Sequence, residues 1–110
     1  MVLRRAILCA LSVACLCSGA SGAMSDDVPL DEYLRALERL TPAARDGAEA
    51  YMTAFEKKCR RPMRTIELRT AVSEGNGDPI LMAMIRASHY KDLSVLESLA
   101  TAVSCTAGKH

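Results

Sequence analysis

The residues that could do chemistry in this chain begin with its cysteines, five in 110 residues. Cys9, Cys15 and Cys17 fall inside an N-terminal stretch of distinct composition, so Cys59 and Cys105 are the one pair in the remainder. Two thiols can hold a metal, attack a substrate or close a disulfide. A metal set drawn from Cys59, Cys105, His89 and His110 has no C-x-x-C or H-x-x-x-H spacing, so neither a metal nor any other cofactor is expected. A Cys–His nucleophile pair is set aside because an oxidised cysteine cannot attack. In an oxidising compartment the disulfide is the expected state.

Two further patterns resemble chemistry and fail on detail. Ser88 and Lys91 have the Ser-x-x-Lys spacing of penicillin-binding serine enzymes, where the lysine shares a helical face with the serine. That mechanism needs companion motifs and a large mixed scaffold, and the chain is too short for them. Glu74, Asn76 and Asp78 alternate like the first ligands of an EF-hand, but its sixth position is Pro79 and its twelfth Ile85, so calcium is rejected. No catalytic residue is assigned.

The strongest local signal is basic. Lys57, Lys58, Arg60, Arg61 and Arg64 surround Cys59, and either complement the dipole at a helix C-terminus or form a patch that binds an acidic partner. No aromatic residues are interleaved with them, which argues against single-stranded nucleic acid. Beyond residue 23 the chain has 12 Lys and Arg against 13 Asp and Glu, and that balance argues against nucleic-acid binding in general. The charge is unevenly spread: residues 24–56 carry eight acids and three bases, whereas residues 57–69 carry six bases and one acid.

Residues 1–23 read as a secretory signal peptide: Arg4 and Arg5, an apolar run from Ala6 to Leu16, then small residues to Ala23. The run is shorter than the ~20 residues a bilayer span needs. Ser21 and Ala23 suit cleavage near Ala23, giving a periplasmic or secreted protein with one small domain over 24–110. Lipoprotein attachment fits less well, since Cys15 has Ser12 where Leu is wanted and Cys17 follows bulky Leu16.

The elements that must position these residues are helices. Leu30, Tyr33, Leu34, Leu37 and Leu40 share one helical face after Pro29. Thr41-Pro42 ends that helix and caps a second, about 42–59, with Ala44, Ala48, Tyr51 or Met52, Phe55 and Cys59 facing inward. Gly47 reads as a weak point, costing about 1 kcal/mol against Ala. Residues 63–74 fit helix or strand; helix is favoured because no partner strand exists, and Glu74 to Gly77 follows as a turn. Asp78-Pro79 starts a helix whose Ile80 to Ile85 is apolar all round, central or at an interface. Met82 and Met84 there read as core filling. The last helix is expected to open on a Ser94–Glu97 capping box, to carry Leu96, Leu99 and Val103 on one face and Cys105 in its last turn, and to end at Gly108.

The expected fold is all-α, a small bundle of four to five short helices with one disulfide. A 46-residue closed loop contributes roughly 4 kcal/mol in the chain-entropy model, much of what so small a domain needs. With one Phe and no Trp the core is light, and a homodimer burying more apolar surface is an expected partnership. The functional expectation is a non-enzymatic, exported protein that binds another protein of the cell envelope. In its concrete form it is an immunity protein inhibiting a periplasmic effector. A periplasmic stress chaperone and a pilotin-like accessory subunit of a secretion or conjugation apparatus are the alternatives. Few histidines and no tryptophan weigh against the chaperone.

Overall fold

The computed structural model describes residues 28–106. The expected signal segment with Cys9, Cys15 and Cys17, and also Gly108 and His110, lie outside the described residues. Five helices follow one another: α1 (Leu30–Leu40), α2 (Pro42–Cys59), α3 (Thr65–Ser73), α4 (Pro79–His89) and α5 (Leu93–Ala100). Among the described residues there is no strand, and the ambiguous 63–74 segment is helical over Thr65–Ser73. No described helix is long and apolar enough to cross a membrane.

Local chemistry sets the boundaries. The Thr41 N–H closes α1 on the Leu37 carbonyl while its Oγ1 accepts from Ala44 N at 3.0 Å, capping α2 above Pro42. Gly75 (φ +56°) and Gly77 (φ +90°) supply the left-handed backbone of the turn before α4. Asp78 then caps α4, its Oδ1 accepting from Ile80 N and Leu81 N at 2.9 and 3.2 Å. Its Oδ2 takes a 2.9 Å bond from the Tyr51 hydroxyl, tying the start of α4 to the middle of α2. Burial and that carboxylate push the Tyr51 hydroxyl well above the usual tyrosine range.

The α2–α4 pair is the most extensive packing in the bundle. α1 packs on α2, α3 meets α4, and α5 leans on α4 and α2. Tyr51, Phe55, Leu68, Leu81, Met84 and Val103 are the largest fully buried side chains. Gly47 gains a reason here. A Cβ at that position would lie 2.5 Å from the Ile85 Cα, so only glycine lets the two backbones approach this closely.

Three sequence expectations need correction. Leu40 is 73% exposed, since α1 turns it off the face that buries Leu34 and Leu37. α5 opens on Asp92 rather than on Ser94, because Asp92 Oδ1 accepts from Val95 N at 3.2 Å. It ends at Ala100, so Val103 is buried from the segment beyond the helix and Cys105 lies in a turn. The bond from Cys105 to Cys59 spans 46 positions, with the Cα atoms 5.5 Å apart.

Candidate functional site

The basic cluster occupies the exit of α2, and the fold divides it into two groups. α2 ends where Arg60 N donates to the Glu56 carbonyl at 2.9 Å, and Arg60 itself takes the left-handed conformation, φ 63° and ψ 29°. That conformation turns the chain sharply, so the residues on either side of Arg60 face different surroundings. Met63 plugs the core just beyond, 4% exposed.

Two of the five cations are used internally. Arg61 lays its guanidinium over the Phe55 ring, 4.9 Å from the centroid. It also forks onto Glu67, Nη1 to Oε1 at 2.9 Å and Nη2 to Oε2 at 2.7 Å. The Glu67 carboxylate is 3% exposed and accepts a third bond, 2.8 Å, from the Arg64 backbone N–H at the start of α3. With these donors its pKa is held at about 2, chiefly by the Arg61 hydrogen bonds, against the opposing effect of burial. Lys58 is the second internal cation. Its Nζ donates to the carbonyls of Thr101 and Val103 at 3.1 and 2.8 Å, holding the exit of α5 beside the disulfide.

Lys57, Arg60 and Arg64 remain on the surface. Arg64 Nε approaches Glu67 Oε1 only to 3.6 Å, and its side chain is 69% exposed, so that attraction is screened. The expected patch is therefore a triad of outward cations above two structural ones. Sequence reasoning missed the buried acid in the middle. The spacing of Glu67 three residues after Arg64, the reach-back position of a capping box, was the signal that could have found it.

The chain matches no family model, no curated protein and no solved structure. The remaining sequence patterns stand as follows. α4 ends at His89 and Lys91 adopts φ 57° beyond it, so Ser88 and Lys91 do not share the helical face that Ser-x-x-Lys chemistry uses. Asp78 is engaged as a helix cap, and no group of three or more His, Cys, Asp or Glu able to hold a metal occurs among the described residues. Cys59 and Cys105 are joined and therefore do not serve as ligands or nucleophiles. His89 stacks edge-on against Tyr90, centroids 4.9 Å apart.

Proposed function

We propose that the protein is an exported, non-enzymatic binder of another cell-envelope protein, and that Lys57, Arg60 and Arg64 contact an acidic face of that partner. An immunity or inhibitor protein acting on a periplasmic effector is the concrete form. One observation carries the reading. Arg60 occupies a left-handed position where glycine is the unstrained choice, and its exposed side chain makes no ion pair or hydrogen bond among the described residues. A residue held at a conformational cost of about 1 kcal/mol or more points to a role outside the fold. A second copy of the chain is a further expected partner, on a different face.

The test is capture of the tagged protein's partner from an envelope fraction, identified by mass spectrometry, followed by titration with the purified pair. Charge reversal at Lys57, Arg60 and Arg64 together is expected to weaken binding at least tenfold and to leave circular dichroism unchanged, a loss of about 1.4 kcal/mol or more. Arg61 is excluded, because reversing it breaks the Glu67 clamp. Unchanged affinity in the triple variant sinks the role of the triad.

A further inference from the structure

We propose that the face formed by α4 and α5 is a two-fold interface with a second copy of this chain. The argument starts from α5, Leu-Ser-Val-Leu-Glu-Ser-Leu-Ala, in which Glu97 is the one charged residue. A helix this apolar belongs in a core or an interface, yet none of its residues is fully buried, and only Leu96, Leu99 and Ala100 pack partly against the core. Leu93 is 72% exposed and Val95 41%, and Tyr90 just before the helix is 73% exposed. Between α4 and α5 lies an open apolar cleft of about 340 Å³ lined by Ala83, Ala87, Tyr90, Val95 and Leu99. Exposed apolar side chains gathered around an open cleft are the kind of surface that interaction sites present.

The charges at its rim select the occupant. Arg86, from α4, and Asp92, at the start of α5, line the same cleft. The neighbouring depression under Leu93 and Leu96 repeats the pattern with Lys91 and Asp46. Each apolar patch thus carries one base and one acid. Arg86 has no ion pair among the described residues, and the helix cap at Asp92 uses one carboxylate oxygen, Oδ1. In an isologous pair each patch meets itself reversed, so Arg86 of one chain faces Asp92 of the other, and both signs are matched. A strongly acidic or basic partner would leave one of the two charges opposed by its own kind. None of Lys57, Arg60 and Arg64 lines the cleft, so the pairing is independent of the acidic partner.

The experiment uses protein recovered from an exporting host, its N-terminus read by mass spectrometry, in sedimentation equilibrium from about 1 to 200 µM at low and high salt. The expected result is the mass of two chains, formed at micromolar concentration and weakened by salt. Val95→Asp is expected to abolish the dimer over that range, and Arg86→Glu, which sets two acids face to face, to weaken it about tenfold or more at low salt and less at high salt. Circular dichroism checks each variant, and Tyr90→Ser replaces Val95→Asp if the latter does not fold. A single-chain mass at the highest concentration overturns the proposal. So does a dimer that Val95→Asp, or Tyr90→Ser in its place, and Arg86→Glu both leave intact, one that forms only while the apolar N-terminal run is retained, or a cleft found occupied by a different protein.

Discussion

α4 and α5 are both rich in apolar residues, and the bundle treats them in opposite ways. α4 buries Leu81, Met84 and Ala87, and meets α2 across Gly47 with room for no side chain between the backbones. α5 has no fully buried residue: only Leu96, Leu99 and Ala100 pack partly against the core, and its exit is held from outside by the Lys58 hydrogen bonds and the Cys59–Cys105 bond. Apolar composition says that a helix must be covered. What covers it depends on whether a neighbour offers a smooth, small-residue surface, and α2 offers that to α4 at Gly47, with Ala43 beside Met82 and Ile85.

The sharpest break in that comparison is removal of the staple. Replacing Cys59 and Cys105 by Ser is expected to lower stability by about 4 kcal/mol, read by urea denaturation, given the 46-residue loop. Hydrogen exchange should then show the α5 amides opening first, while α4 keeps protection up to global unfolding. Equal loss of protection in both helices would contradict the contrast. Within α4, Leu81→Ala is expected to cost about 3 kcal/mol, since the side chain is fully buried among helices that cannot all collapse on the space.

Next in size is the Glu67 clamp, which steadies the α2–α3 corner. Its folded pKa of about 2 lies well below that of an ordinary glutamate, so its contribution is complete above the usual carboxylate range and is lost as the pH falls toward 2. The contribution is roughly 2 to 3 kcal/mol once the half-exposed Arg61 is allowed for. Glu67→Gln should lose about 2 kcal/mol at pH 7 and flatten the acid limb of the stability curve. An unchanged acid limb in that variant would mean another carboxylate carries it. The smallest effect belongs to α5: Leu93→Ala is expected to shift the single-chain stability by less than about 0.5 kcal/mol, which a thermal melt at low protein concentration checks.

These differences mark where the sequence is readable. The four-residue recurrence of Leu30, Leu34 and their neighbours, and the cap-then-proline pairs Thr41-Pro42 and Asp78-Pro79, are local signals, and the helices start where they say. The cysteine pair is legible because Cys59 and Cys105 are the two cysteines beyond the N-terminal apolar stretch. What was not legible depended on distant contacts. Ser94 with Glu97 and Asp92 are both adequate starts for α5 by local chemistry, and the turn through Lys91, in which Asp92 N bonds the Ala87 carbonyl, decides for Asp92. The helix stops early because burying Val103 draws the chain off its axis, an effect no local pattern carries. Likewise two of the five cations turn inward because Phe55, Glu67 and the carbonyls beyond α5 come to meet them. Charge runs alone do not sort structural from surface roles.

The placement of the staple also has a mechanical consequence. If the chain is gripped at Val28 and Thr106 and drawn apart, the covalent bond between Cys59 and Cys105 shields everything in between, and tension runs only through α1 and α2. About thirty residues can then lengthen, giving roughly 10 nm of extension before the sulfur bridge bears the force. A pulling protease or unfoldase would thus strip the N-terminal half and stall at Cys59, with α3, α4 and α5 held in one covalent ring.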